Sequence, residues 1–125
     1  MTLINSSVPV SFLYVTDRDR ALLFCEQLGL ALRGSDDFGD FMETGGGLIR
    51  MTVMPDHIAS PHPVLGWEVS DILATAQELS ERGIGLTIYE GMGQDELGVW
   101  TSPDGKAKVA WFTDPDGNVL SLSQA

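Results

Sequence analysis

The chain has one cysteine, two histidines and only seven basic side chains in 125 residues, and each scarcity removes a class of function. Cys25 alone cannot close an internal disulfide, which fits a reducing cytoplasm. Seven Lys and Arg against eighteen Asp and Glu leave a net charge of −11. Without clustered cations the chain cannot neutralise a phosphate backbone, so nucleic acid is not an expected partner. No apolar run approaches the roughly 18 residues of a membrane span, and segment 1–7 has neither the basic region nor the apolar core of a signal peptide. The expectation is a cytoplasmic protein with no membrane partner. Its length suits a single domain, 1–125, with a real core. The acidic surface would steer a cationic ligand toward the chain, although solubility is the plainer reason for such a charge.

What the chain does have is a duplication. Val10, Val15, Thr16, Asp17 and Gly29 are matched by Val64, Val69, Ser70, Asp71 and Gly83, each pair 54 positions apart. A repeat near half the chain length predicts two equivalent modules, about 8–54 and 64–124, joined by a linker at 55–63 whose three prolines cannot continue a central strand.

In each module a β-branched and aromatic run (8–15, then 64–69) reads as a strand. Thr16 or Asp17, and Ser70 or Asp71, supply the cap oxygen of a following helix. Ala21, Phe24, Cys25 and Leu28 share one face of the first helix, where Cys25 reads as a small core residue; Ile72, Ala76 and Leu79 point inward from the second. Gly29 and Gly83 close the helices in the left-handed conformation. Module one continues with strands at about 31–35, 38–44 and 47–54, turned at Asp36-Asp37 and Gly45-Gly46. Module two continues with strand 86–89, a Gly-rich loop at 91–98 that could act as a lid, and strands 99–101, 106–112 and 119–123. Pro-containing turns join the last three. The expected fold class is α+β, two β-α-β-β-β modules.

The unit Phe12-Leu-Tyr-Val-Thr-Asp17, its copy Trp67-Glu-Val-Ser-Asp71, and the final hairpin from Val109 through Asp114-Pro-Asp-Gly-Asn118 to Leu122 resemble the vicinal oxygen chelate superfamily. This is the glyoxalase/bleomycin resistance protein/dioxygenase family, and the resemblance covers nearly the whole chain. It implies two modules forming a cupped, open mixed barrel around a cavity, and homodimers. In the family's metal enzymes it also implies ligands from four equivalent slots, two per module. Those slots fall here on Val10, Arg50, Val64 and Ser121. Valine has no donor atom, a serine hydroxyl is a weak ligand, and arginine repels a cation, so no metal and no other cofactor is expected. A displaced site would have to use His62 with carboxylates or water: His62 precedes Val64 by two and lies about 7 Å back along that side of the strand. Both His57 and His62 read more simply as loop residues.

Strand alternation puts Phe12, Tyr14, Gly66 and Glu68 on the face of Val10 and Val64, with Arg50, Thr52 and Ser121 on the same faces of the last strands. Trp67 then faces the helices and reads as core. Apolar walls with a few polar groups suit a small-molecule pocket. Arg50 could hold a carboxylate, phenolate or carbonyl; Glu68 could accept from a cationic or amide group, or act as a base. The two could equally pair with each other. Trp100 and Trp111 could stack on a planar ligand or simply serve as core. Loop 91–98 lacks the features of a phosphate cradle, and no nucleophile elbow occurs.

The expected ligand-binding set is therefore Phe12, Tyr14, Arg50, Thr52, Glu68, Trp100, Trp111 and Ser121. The expected function is metal-independent binding of an aromatic or cationic small molecule by a homodimer, in the manner of the family's antibiotic-sequestering proteins. The competing expectation is a glyoxalase-type lyase, isomerase or dioxygenase that uses a displaced metal or Glu68 as base.

Overall fold

A computed structural model describes residues 4–125; Met1, Thr2 and Leu3, part of the segment 1–7 read above for a signal peptide, lie outside them. The fold is α+β and consists of two compact units, Met1–His57 and Ile58–Ala125, divided within the proline-rich segment 55–63.

The first unit runs β1 (Val10–Val15), α1 (Arg18–Leu28), β2 (Ala31–Asp36), β3 (Gly39–Thr44) and β4 (Gly47–Val53). Its sheet has the order β1-β4-β3-β2, with β1 parallel to β4 and the other pairs antiparallel. Pro9 has no N–H for a ladder, so β1 starts two residues later than a run from Val8 suggests; the Pro9 carbonyl still accepts from Leu48 N–H at 3.0 Å. Of the two candidate caps, Asp17 is the one used, accepting from Arg20 N–H at 3.1 Å. Gly29 ends α1 with φ 81°, a conformation open to glycine without steric cost. One face of α1 (Ala21, Phe24, Cys25) and the alternate residues Leu13, Val15, Met42, Ile49 and Met51 of the sheet are buried. They are the core of this unit, and Cys25 belongs to it, with its Sγ 4.0 Å from Met51 Sδ.

The second unit runs β5 (Pro63–Glu68), α2 (Ile72–Glu81), β6 (Trp100–Thr101), β7 (Lys108–Thr113) and β8 (Val119–Gln124), in the sheet order β5-β8-β7-β6. Asp71 caps α2 through Ala74 N–H at 3.1 Å, and Gln124 Oε1 accepts from Ile72 N–H at 2.7 Å, tying the helix start to the end of β8. Ile72, Ala76 and Leu79 are buried together with Ala110, Phe112, Leu120 and Leu122. Trp67 stacks on the buried Phe112 with ring centroids 6.3 Å apart but is itself only half-buried, at the margin of the core it was expected to join.

Three local expectations need correction. Segment 86–89 is not a strand. Its contact with β7 is a hydrogen bond from Thr87 N–H to the Trp111 carbonyl at 2.7 Å, and its other polar groups are met by a side chain: Gln94 Oε1 accepts from Tyr89 N–H, while Gln94 Nε2 donates to the carbonyls of Thr87 and Gly98. The Gly-rich loop is likewise tied down, because Asp95 Oδ1 accepts from the N–H groups of Leu97, Gly98 and Val99. A loop anchored at this many points is part of the second unit's wall, which removes the basis for a lid. Finally, the 54-residue match fails at Val64: Val10 pairs with Leu48, but the β5–β8 register shifts between Pro63 and Leu65. Among the described residues no helix is long and apolar enough to cross a membrane.

Candidate functional site

Sheet register decides which side chains stand together, because directly opposed residues share a face. In the first unit Phe12 opposes Arg50, Arg50 opposes Phe41, and Phe41 opposes Gly34. Tyr14 opposes Thr52 one step along. Leu13, Val15, Ile49 and Met51 fill the helix-facing side, so this second face is left to Phe12, Tyr14, Arg50 and Thr52. Phe12 is 57% exposed and Tyr14 42%.

These four side chains line a cleft of about 610 Å³ that also takes in the β2–β3 turn with Asp36, Asp37 and Phe38. The volume lies within the usual range for a small-molecule site. A smaller recess of about 240 Å³ adjoins it at Tyr14 and reaches His57, whose ring centroid is 6.0 Å from that of Tyr14.

The charges in the cleft are arranged in two sets. Arg18 donates from Nε and Nη2 to the two carboxylate oxygens of Asp40 at 3.0 and 2.9 Å, and Ser35 Oγ donates to the same carboxylate at 2.6 Å. The Arg18 bonds hold the Asp40 carboxyl below its ordinary range, against the opposing effect of burial, and Asp40 in turn raises Arg18. Arg50 is arranged differently. Its guanidinium lies 5.1 Å from the Phe41 ring centroid, and its Nη2 is 3.8 Å from Asp36 Oδ1. That distance is an ion pair but not a hydrogen bond. The carboxylate beside Arg50 thus comes from β2 in the same unit.

The other four predicted residues stand on one face of the second sheet. Gly66 opposes Ser121, and Ser121 opposes Trp111; one step on, Glu68 opposes Ser123, Ser123 opposes Val109, and Val109 opposes Trp100. A Cβ on Gly66 would collide with Ser121 Oγ and lie 3.2 Å from the Ser121 carbonyl, so the small residue at 66 lets Ser121 stand there. The Tyr89 ring meets Trp111 edge-on at 5.5 Å between centroids, which makes Trp111 partly an anchor for segment 86–89. Glu68 is exposed, while Trp100 and Ser121 are half-buried.

The register also fixes the relation between the slots. Gly66 follows Phe12 by 54 positions, and their partners are Ser121 and Arg50, so Arg50 and Ser121 occupy equivalent places in the two sheets. The metal implied by the resemblance does not fit the residues at those places. Val10 and Val64 carry no donor, and a guanidinium excludes a cation. Among the described residues, no three His, Cys, Asp or Glu side chains come together as a metal group.

Asp36 and Asp37 were legible in the sequence only as a turn, and Phe38, expected to open the next strand, belongs to that turn, because β3 starts at Gly39. Alternation does not carry their side chains into the cleft, because β2 shifts register between Leu32 and Gly34. Arg18 and Asp40 are 22 residues apart, and no local pattern announces their pairing.

No family model and no curated protein matches the chain. Solved structures do. The chain is similar to a bleomycin resistance determinant encoded on transposon Tn5, at 20% identity over 95% of this chain and 98% of that one, with TM-score 0.72. A fosfomycin resistance protein from Listeria monocytogenes matches at 12% identity over 96% and 93%, TM-score 0.73. A glyoxalase/bleomycin resistance protein/dioxygenase from Alicyclobacillus acidocaldarius matches at 17% identity over 95% and 91%, TM-score 0.72. The chain therefore has the glyoxalase/bleomycin resistance fold, as its duplicated strand–helix unit and final hairpin imply. At these identities the likeness is one of fold, and function must be argued from the site.

Proposed function

We propose that the chain binds a small, partly aromatic or cationic molecule in the first-unit cleft, without a metal in the four slots, and acts by holding that molecule. The observation that carries the reading is the cleft itself: the rings of Phe12 and Tyr14 beside one half-buried arginine, with a carboxylate-bearing turn alongside. Aromatic walls supply contact area at low entropic cost, and the few charged groups orient what enters. The donor chemistry of Val10, Arg50, Val64 and Ser121 supports the metal-free part. Two proteins of the same fold are named for resistance to bleomycin and to fosfomycin, which makes those drugs the first probes. A second copy of the chain is the partner proposed with this function, and light scattering on the purified protein tests it.

Calorimetric titration with bleomycin tests the binding. Phe12 is more than half exposed, so Phe12→Ala should leave stability within about 0.5 kcal/mol while weakening binding roughly tenfold through lost ring contact. Unchanged affinity in that variant would remove the cleft as the site. Elemental analysis showing near-stoichiometric metal, lost on chelation together with an activity, would overturn the metal-free reading.

A further inference from the structure

We propose that Asp36 sets the charge selectivity of the first-unit cleft, so that its ligand carries positive charge on an aromatic or apolar body. The inference deepens the binding function above and rests on it.

Arg18 and Asp40 satisfy each other at 2.9–3.0 Å and leave little net field. The charges less tightly engaged are Arg50 and Asp36, an ion pair at 3.8 Å, and the neighbouring carboxylate of Asp37. Asp36 is not a loose tail: its Oδ1 accepts from Phe38 N–H at 2.8 Å, which fixes the carboxylate in the turn. The same oxygen is 3.8 Å from Arg50 Nη2, close enough to offset the arginine's charge but too far to hydrogen-bond.

An anion seeking Arg50 must therefore settle against Asp36 with Asp37 beside it, in a chain of net charge −11. At that range the repulsion from Asp36 offsets much of what the shared arginine returns, and Asp37 adds to it. A cation meets the opposite situation. Two carboxylates face it, and the exposed rings of Phe12 and Phe38 (71% exposed) offer their negative faces to it. Arg50, lying over Phe41, keeps its N–H donors for a neutral carbonyl or amide on the same ligand.

The test uses two flat aromatic dyes of opposite charge that brighten on leaving water: thioflavin T, a cation, and 8-anilino-1-naphthalenesulfonate, an anion. The wild-type protein should bind thioflavin T more tightly, with affinity that falls as salt is added and falls roughly tenfold with Phe12→Ala. In Asp36→Asn the amide oxygen still accepts from Phe38 N–H, so the turn is kept and only the charge goes. That variant should bind thioflavin T about fivefold more weakly and the sulfonate about fivefold more tightly, the size of one partly exposed ion pair. If Asp36→Asn leaves both affinities within about twofold while Phe12→Ala still weakens thioflavin T binding roughly tenfold, the role of Asp36 is overturned and the binding cleft stands. If Phe12→Ala changes neither dye, the cleft is not the site, and both proposals fall together.

Discussion

Replacing Asn118 by alanine should destabilise the second unit by about 2–3 kcal/mol at pH 7, and most of that loss should vanish in acid. Asn118 is 2% exposed and Asp114 5%. Asn118 Nδ2 donates to Asp114 Oδ2 at 2.8 Å, while the backbone N–H groups of Asp116 and Asn118 donate to Asp114 Oδ1 at 3.0 and 2.8 Å. Burial raises the Asp114 carboxyl above its ordinary range, and the Asn118 bonds only partly offset it. Deleting the side-chain amide leaves a buried carboxylate oxygen without that donor, while the backbone bonds to Oδ1 remain. A charge-assisted bond of this kind contributes about 1.5–3 kcal/mol and a neutral one about 0.5–1.5. A carboxyl that binds its proton more tightly when folded makes the native state gain stability as pH falls through its raised folded pKa toward the unfolded value near 4. Without Asn118 that folded pKa rises further, so the variant gains more than the wild type over the same range. The deficit should shrink from about 2–3 to about 1 kcal/mol on protonation of Asp114. All three tryptophans, Trp67, Trp100 and Trp111, lie in the second unit. Urea unfolding followed by tryptophan fluorescence at pH 7 and near pH 4.5 therefore reads this unit directly, and thermal melts at pH 7 should fall by roughly 10 °C. A deficit of equal size at both pH values would refute the reasoning, because it would mean that folded Asp114 does not take up its proton over this range.

The first unit should respond to acid in the opposite sense. Asp40 is held low chiefly by Arg18, so its contribution is present above the ordinary carboxyl range and is lost as pH falls through its lowered folded pKa. Hydrogen exchange of β3 and β4 amides checks this, and Asp40→Asn should flatten the dependence. Gln94→Ala strands Tyr89 N–H and the carbonyls of Thr87 and Gly98. It should cost about 2–3 kcal/mol at roughly 1 kcal/mol per bond, read as faster amide exchange across 86–98. Met42 is 1% exposed, and Met42→Ala should cost the first unit about 2–5 kcal/mol through transfer and cavity terms, seen as a lowered urea midpoint in circular dichroism.

Much of the fold was legible in the sequence because it rests on local rules. The caps at Asp17 and Asp71, the left-handed glycines at 29 and 83, and the buried helix faces follow from spacing within a few residues. So did the facing of Phe12, Tyr14, Arg50 and Thr52, since alternation in a strand is a property of the backbone. Segment 86–89 has the composition of a strand, yet Gln94 takes the hydrogen bonds that a neighbouring strand would have supplied. Composition reports what a segment can do, whereas pairing depends on what else is within reach.

The charges of the cleft belong to the same distinction. The sequence by itself determined that a strand–helix unit occurs twice, because a duplication and an offset of 54 are properties of the chain, and that Arg50 shares a strand face with Thr52. Only the tertiary structure decided what Arg50 faces. A register shift in β2 and an Asx turn at Asp36 bring a carboxylate to within 3.8 Å of it, and Arg18 occupies Asp40 from 22 residues away. Electrostatic partners are chosen by distance in space, and the order of residues along the chain does not carry that distance.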